Sequence, residues 1–292
     1  MTTAFSTALP RRRFLAALGS LAAFSVGGFG VSSAQAAPRK GRLKQSVCSG
    51  VFKGLNLDLD GQCREAARLG SWGIDLVGPS DFPVLKKHGL IPTMVNGSSS
   101  IKNGINDQQN HAEIDRKMRE HIKAAAAAGA PNVIVLAGDR KGISDEQGLD
   151  NCALFLNNIK DLAEEQGVTI CLELLNSKVN HPGYMCDHTV WGVELCKRVN
   201  SPRVKLLYDI YHMQIMEGDI IHTIRQNIQF IGHFHTAGNP GRHEFDDTQE
   251  LNYPAICKAI ADFGFQGYLA HEYTPTKEPL ETLDKMMRLC EV

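Results

Sequence analysis

Four acidic or imidazole side chains stand near the ends of four consecutive strand-like runs in the second half of the chain. They are Glu173 in TICLELLN, Asp209 in VKLLYDIYH, His235 in IGHFHTAG and Glu272 in GYLAHEY. Three buried carboxylates repel one another unless a cation neutralises them. An oxygen-rich set with a single nitrogen suits Mn²⁺, Mg²⁺ or Co²⁺ better than the thiolate-rich sets of structural zinc. The four residues therefore predict a site for one divalent metal ion.

Simpler interpretations exist for residues of these types. A lone Asp at a strand end is often the N-cap of the next helix, and a lone His beside aromatic residues is usually a packed core group. Four such residues at equivalent places on consecutive strands favour the metal site instead. The neighbouring histidines His233, His243 and His271 are interpreted as orienting or surface groups, since partners of metal ligands often occupy such positions.

The elements that would position these residues are strands and helices that alternate eight times. The strand-like runs are residues 51–57, 73–78, 91–96, 133–137, 169–175, 204–210, 230–235 and 267–273. Between them lie helical patterns such as HAEIDRKMREHIKAAAAAGA, which Gly129 ends. This order predicts the α/β class and a single (β/α)₈ barrel, whose functional residues stand at the carboxyl ends of the strands. A doubly wound open sheet is disfavoured by the strand count and by the absence of a Gly-rich phosphate loop after the first strand.

Residues 1–36 have the pattern of an export signal. Arg11, Arg12 and Arg13 precede a mildly apolar run, and AQA at residues 34–36 supplies the small residues of a cleavage site. The arginines resemble the twin-arginine signal, which directs folded proteins to a bacterial translocase. Glycines and serines make the run weakly apolar for a membrane anchor, which is the alternative interpretation. We therefore expect a periplasmic protein with a basic tether at residues 37–50 and a catalytic barrel at residues 51–292.

Charge and cysteine content argue against two classes of protein. Cleavage after Ala36 would leave 256 of the 292 residues and remove three arginines and no acid, so the formal net charge would change from −1 to −4. A protein with this charge is not expected to bind nucleic acid. The eight cysteines are scattered without a Cys-X-X-Cys pair, which predicts buried thiols rather than a disulfide framework.

Several motifs together resemble one known family. YDIYHMQIMEGD, IGHFHTAGNPGRHE, ELNYP and HEYTP are similar to the hydroxypyruvate isomerase family of xylose isomerase-like barrels, most strongly over residues 172–275. The resemblance implies a sugar isomerase or epimerase that uses one divalent metal ion. It also implies that His212 and Arg242 lie beside the substrate oxygens, and that the metal ligands are Glu173, Asp209, His235 and Glu272.

Two positions differ from the hydroxypyruvate isomerases. These enzymes commonly have Gln where His235 stands, whereas the related ketose 3-epimerases have His there. Strand five reads Glu-Leu-Leu-Asn, without the proline that usually follows the glutamate in the isomerases. The substrate is therefore left open between these two groups of enzymes.

The expected reaction moves a carbonyl group between neighbouring carbons by proton transfer. The metal stabilises the enediolate, and Glu173 and Glu272 act as the acid/base pair. Arg242 binds an acidic substrate through two parallel hydrogen bonds, and His212 bonds to the reacting oxygen. We expect an aldose-ketose isomerase that converts hydroxypyruvate to tartronate semialdehyde, so the partner is a small molecule.

Three alternatives share the barrel. A ketose 3-epimerase would use the same metal and glutamates on another carbon. A secreted carbohydrate-binding barrel would have lost catalysis, although retention of both Glu173 and Glu272 disfavours it. A metal-dependent DNA repair endonuclease would need a multi-metal site richer in histidine and a basic groove, which the charge of −4 argues against. A homo-oligomer is left open.

Overall fold

Eight parallel strands pair in the order of the chain, and the last strand closes the sheet against the first. The computed structural model describes residues 37–292. The (β/α)₈ barrel predicted from the sequence is confirmed. The strands are β1 (Lys44–Cys48), β2 (Gly73–Val77), β3 (Ile91–Val95), β4 (Asn132–Val135), β5 (Thr169–Glu173), β6 (Val204–Asp209), β7 (Ile231–Thr236) and β8 (Tyr268–His271).

Helices connect the strands around the outside of the barrel. The described residues form nine α-helices, one more than the sequence predicts, because two short helices lie between β6 and β7. The helices are α1 (Leu59–Arg68), α2 (Phe82–Lys87), α3 (His111–Ala128), α4 (Asp145–Gln166), α5 (Thr189–Val199), α6 (Ile210–Met216), α7 (Ile220–Asn227), α8 (Tyr253–Asp262) and α9 (Pro279–Leu289). None of them is long and apolar enough to cross a membrane.

Local signals set the ends of the two longest helices. The Ser144 side chain accepts a hydrogen bond from the Gln147 backbone N–H and so caps the start of α4. Gly129 and Gly167 end α3 and α4 with φ angles of +71° and +69°, in the left-handed region that glycine adopts without a steric penalty.

The first strand lies earlier in the chain than predicted. Residues 51–57 were expected to form it, but β1 lies within the predicted tether, and Val51 and Phe52 are buried in a 3₁₀ turn instead. The prediction was wrong because β1 contains buried polar residues with partners. The Gln45 amide donates to a backbone carbonyl of α9, and the Ser46 hydroxyl donates to a β2 carboxylate. The predicted export signal at residues 1–36 lies outside the described residues.

The core has an outer layer between strands and helices and a smaller cluster inside the barrel. The inner cluster is contributed by neighbouring strands, as is usual for this fold. Its buried members are Met94, Ile134, Cys171 and Leu207. All eight cysteines are buried and free in the structure, which agrees with the prediction that the thiols are buried.

Candidate active site

The four predicted ligand residues meet at the carboxyl ends of the last four strands. Glu173 and Asp209 are the final residues of β5 and β6, His235 is the penultimate residue of β7, and Glu272 follows β8. Each offers a ligand atom within 4.8 Å of the others. Only Glu272 is more than slightly exposed, with 20% of its side chain accessible. The prediction that these strand ends share one rim therefore matches the geometry.

Two cationic side chains partly balance the acids. His235 Nδ1 lies 2.9 Å from Glu272 Oε2 and 3.4 Å from Glu173 Oε1. Arg242 Nη2 donates to Glu272 Oε2 at 2.6 Å and lies 3.5 Å from Asp209 Oδ2. The predicted site residues thus form one connected cluster of opposite charges.

The electrostatic environment shifts the pKa values of Glu173 and Glu272 in opposite directions. Burial raises the pKa of Glu173. Burial also raises the pKa of Asp209, against the attraction of Arg242. Burial acts in the same direction on Glu272, but the charges of His235 and Arg242 outweigh it and hold the pKa of Glu272 below its usual value. Glu173 is therefore the carboxylate that is easier to protonate.

Unpaired polar atoms indicate that the cluster is built for something it binds. Among the described residues, four buried atoms at this site have no hydrogen-bond partner: Asp209 Oδ2, His212 Nε2, His235 Nδ1 and Arg242 Nε. A buried polar atom without a partner is unfavourable by about 1–3 kcal/mol. Two of these atoms, on Asp209 and His235, belong to the predicted ligand set. The oxygen-rich donor set therefore fits a divalent cation.

The two carboxylate oxygens of Asp209 have different surroundings. Its Oδ1 accepts the His212 backbone N–H at 2.9 Å and caps helix α6, which begins directly after β6. Its Oδ2 remains free and faces the site. The N-cap interpretation and the ligand interpretation are thus compatible, because each uses a different oxygen.

His212 presents an N–H group to the site. Asn176 Oδ1 accepts the backbone N–H groups of Val179 and Asn180, so its Nδ2 must face His212 Nδ1, at 2.6 Å. Burial, reinforced by Arg242, lowers the pKa of His212 well below its usual value, so the ring is neutral. With Nδ1 accepting, Nε2 carries the proton and is a donor.

Arg242 is held in a tight turn of the loop after β7. Its backbone N–H donates to the Gly238 carbonyl at 2.9 Å, and its carbonyl accepts from the Thr274 N–H at 2.8 Å. Its φ of +59° lies in the left-handed region, which is unfavourable for a residue with a Cβ and is typical of functional sites. The guanidinium lies 5.6 Å from the centre of the Tyr211 ring.

A cavity of about 250 Å³ opens beside this cluster. It is lined by the carboxyl ends of β1 and β2 and by the residues that follow β8. Arg242 and Glu272 contribute to its wall together with Cys48 and Asp75. The cavity has room for a small molecule in contact with the acidic cluster.

Two residues near the site were not predicted from the sequence. Asp75 is a fully buried carboxylate on β2 that contacts both His233 and His235. Asn176 fixes the ring of His212. The signal for Asp75 was a single acid inside the apolar run GIDLVG, and no comparable signal marks Asn176.

Of the three histidines interpreted as orienting or surface groups, His233 fits the first role and His243 the second, whereas His271 fits neither. His233 is buried and bonded to Asp75, and His271 is buried between Thr236 and Gln45 on the outer side of β8. His243 is exposed, and its ring bonds to a backbone carbonyl. Only His233 is linked to the acidic cluster.

The sequence also matches a profile of known proteins over residues 83–290, described as the xylose isomerase-like TIM barrel. This match covers most of the chain. The chain belongs to the xylose isomerase-like TIM barrel family. The four motifs that resemble the hydroxypyruvate isomerases all lie within the matched residues.

Curated relatives in this family include isomerases. A 2-oxo-tetronate isomerase of Cupriavidus necator is 38% identical over 104 residues, which are 36% of this chain and 39% of that protein. A hydroxypyruvate isomerase of Escherichia coli is 38% identical over 105 residues, 35% of this chain and 40% of that protein. A Homo sapiens relative is 31% identical over 175 residues, 57% of this chain and 62% of that protein. The chain therefore spans less than two thirds of the length of these three relatives.

Solved structures share the fold over nearly their whole length. An AP endonuclease, family 2, of Brucella melitensis has a TM-score of 0.77 at 25% identity and covers 84% of this chain and 99% of its own. A D-psicose 3-epimerase of Clostridium cellulolyticum has a TM-score of 0.72 at 19% identity. The match covers 86% of this chain and 100% of that protein. The IolI protein, solved with a bound zinc atom, has a TM-score of 0.67 at 19% identity. The match covers 85% of this chain and 98% of that protein.

Proposed function

We propose that this protein is a metal-dependent isomerase that moves a carbonyl group between neighbouring carbons of a small 2-oxo acid, with hydroxypyruvate as substrate and tartronate semialdehyde as product. The observation that carries the proposal is the pair of glutamates on either side of one imidazole nitrogen. His235 Nδ1 lies 3.4 Å from Glu173 and 2.9 Å from Glu272. The names of the Cupriavidus and Escherichia relatives support an isomerase.

One divalent ion, Mn²⁺, Mg²⁺ or Co²⁺, would be held by the four residues of the cluster. The unpaired atoms of Asp209 and His235 and the bound zinc of the IolI structure support a metal here. When bound, the ion supplies a positive charge that stabilises the negative charge developing on neighbouring substrate oxygens. Its ligands would be Glu173, Asp209, His235 and Glu272.

The two glutamates would transfer the proton. One takes the proton from the hydroxymethyl carbon, and a proton is then delivered to the former carbonyl carbon. The hydroxyl proton passes to the former carbonyl oxygen, so the C–H and O–H bonds broken equal those formed and the substrate is neither oxidised nor reduced overall. Both glutamates face the same imidazole nitrogen, so either can act as the base while the other delivers the proton. Each carboxylate can both bind the metal and transfer a proton, because it has two oxygens.

Arg242 and His212 would bind the substrate. The Arg242 Nε is unpaired and is available to a substrate carboxylate, and a planar guanidinium binds such a group through two parallel bonds. The His212 Nε2–H lies 3.7 Å from the free oxygen of Asp209, so it is positioned to bond to the reacting oxygen.

A ketose 3-epimerase is the second candidate. It is favoured by the identity of residue 235, because His rather than Gln occupies this position, and by the barrel shared with D-psicose 3-epimerase. A nuclease is less favoured, although the Brucella neighbour is described as one, because the ligand set holds a single histidine and the chain is not basic.

We further propose export to the periplasm by the twin-arginine translocase. The basis is the arginine cluster at residues 11–13 and the AQA sequence that follows the apolar run. Cell fractionation of the wild type and an Arg11→Lys, Arg12→Lys double variant tests this. Retention of only the double variant in the cytoplasm supports export, and equal distribution of the two contradicts it.

The test of the function is a substrate panel with the purified protein. The protein is loaded with Mn²⁺, and hydroxypyruvate, a 2-oxo-tetronate and D-psicose are incubated separately and analysed by chromatography after the metal is removed. We expect conversion of the 2-oxo acids. Conversion of the ketose alone would favour the epimerase, and no conversion of any substrate by metal-loaded protein would contradict the proposal.

A further inference from the structure

A buried hydrogen-bond network lies inside the barrel below the acidic cluster. Its centre is Asp75, whose side chain is fully buried. Asp75 Oδ2 lies 2.7 Å from His233 Nε2 and 3.1 Å from His235 Nε2. Asp75 Oδ1 accepts hydrogen bonds from the hydroxyls of Ser46, at 3.0 Å, and Thr93. Four donors thus occupy the lone-pair positions of one carboxylate.

The network fixes the protonated nitrogen of each histidine. The Asn132 Nδ2 donates to the Thr93 carbonyl at 3.1 Å, and the same nitrogen lies 3.3 Å from His233 Nδ1. His233 Nδ1 therefore accepts, and its Nε2–H donates to Asp75. An ionised carboxylate is only an acceptor, so His235 must also donate to Asp75 through Nε2–H. In the neutral ring, which a metal ligand must be, the lone pair of His235 is then on Nδ1, which faces the glutamates.

The backbone of β2 is distorted where it carries Asp75. The register with β3 shifts on both sides of Asp75, and Leu76 has a φ of +57°. Leu76 packs against the inner cluster of the barrel, although it is adjacent to the inward-facing Asp75. Two successive side chains therefore face inward, which is what a bulge produces. A strained backbone that reorients a buried acid is typical of a functional site.

We propose that Asp75 is a positioning residue that holds His235 in the orientation and tautomer required for metal binding through Nδ1. This role rests on the proposed metal site. Histidines that bind metals commonly donate their other ring N–H to a carboxylate, which fixes the ring and increases its basicity. His233 also donates to Asp75, and Asn132 acts on this bond through His233 Nδ1.

A second metal ion is the alternative role for Asp75. Cys48, Asp75 and His235 also offer ligand atoms within 4.8 Å of one another. The four hydrogen bonds to Asp75 leave none of its lone pairs for a cation, however. The positioning role therefore predicts one metal ion per chain rather than two.

The test compares a variant of Asp75 itself with a control variant of Thr93, which bonds to the same carboxylate. Asp75→Asn retains the shape but loses the charge and one of the two acceptor oxygens. Thr93→Val removes a donor to the other oxygen, Oδ1, and leaves the bond to His235 in place. Mn²⁺ affinity and stoichiometry are measured by electron paramagnetic resonance of free Mn²⁺, and the fold is checked by circular dichroism. Ring ¹⁵N shifts of the Mg²⁺-loaded protein report which nitrogen of His235 is protonated. Asp75→Ser replaces the first variant if that variant does not fold.

We expect one Mn²⁺ per wild-type chain, an affinity about 10- to 100-fold weaker in Asp75→Asn, and a change of less than about twofold in Thr93→Val. The ring of His235 should lose its uniform Nε2–H tautomer only in the Asp75 variant. Unchanged affinity in Asp75→Asn, equal losses in both variants, or two ions per chain would overturn the positioning role. Wild-type protein that binds no Mn²⁺ would contradict the metal site itself. This outcome is distinguishable from failure of the Asp75 role, because it is seen before any substitution is made.

Discussion

Asp209 and His212 are bonded to each other across the first turn of helix α6. The His212 backbone N–H donates to Asp209 Oδ1 at 2.9 Å, while Oδ2 of the same carboxylate lies 3.7 Å from His212 Nε2. The capped helix thereby sets both side chains at the acidic cluster. The same carboxylate links the stability of the helix to the chemistry of the site.

This dual role can be separated by two substitutions of Asp209. Asn caps helices about as well as Asp, so Asp209→Asn should leave the metal-free protein as stable as the wild type, while Asp209→Ala should lose about 0.5–2 kcal/mol of unfolding free energy. Both variants should bind Mn²⁺ much more weakly. Urea unfolding and metal titration check this. Tight metal binding by Asp209→Asn would remove Asp209 from the ligand set.

Glu272→Gln should abolish turnover and leave the fold intact. Gln keeps the shape and still accepts a hydrogen bond from Arg242, but it neither takes up a proton nor carries the charge. A positioned base contributes about 10² to 10⁴ in rate, so kcat should fall by at least that factor. The exposed Glu120→Gln on α3 is the control. Substantial remaining activity in Glu272→Gln would exclude the acid/base role.

Arg242→Lys should mainly weaken substrate binding. Lysine keeps the charge but not the two parallel donors, and a hydrogen bond to a charged group contributes about 1.5–3 kcal/mol, so KM should rise about ten- to hundredfold. Steady-state kinetics with the 2-oxo acid measure this, and Arg225→Lys, on the outer helix α7, is the control. A KM equal to that of the wild type would contradict the carboxylate-binding role.

Removal of the metal should lower stability. Three buried carboxylates at one site repel one another, and a ligand that binds only the folded chain stabilises it by mass action, about 2.7 kcal/mol at 100 times its Kd. Calorimetry should therefore show a lower Tm after treatment with a chelator, restored by Mn²⁺. Asp209→Asn should show a much smaller response. A Tm that is the same with and without metal in the wild type would count against the site.

The barrel and the acidic cluster were predictable from the sequence because both follow from local pattern. Regular alternation of apolar runs with helices specifies the fold, and the position of each acid or histidine at a strand end specifies where it lies. Asp209 illustrates the limit of this reasoning. Its type and place fitted both a cap and a ligand, and only the structure shows that one oxygen caps the helix while the other has no hydrogen-bond partner.

The features that were missed depend on contacts distant in the chain. Strand β1 carries Gln45 and Ser46 at buried positions, so it lacks an apolar pattern, and its partners are 242 and 29 residues away. Asp75 interrupts an apolar run on a different strand from the cluster, and its bond to His235 spans 160 residues. A single sequence contains no local signal for such pairings.

The most direct test of the account is proton exchange during turnover. The wild-type protein and Glu272→Gln are incubated with Mn²⁺ and hydroxypyruvate in D₂O, the metal is removed, and the proton NMR spectrum is recorded. We expect an aldehyde product with deuterium on the neighbouring carbon for the wild type, and neither product nor exchange for the variant. Metal-loaded wild-type protein that yields no product and exchanges no proton would contradict it.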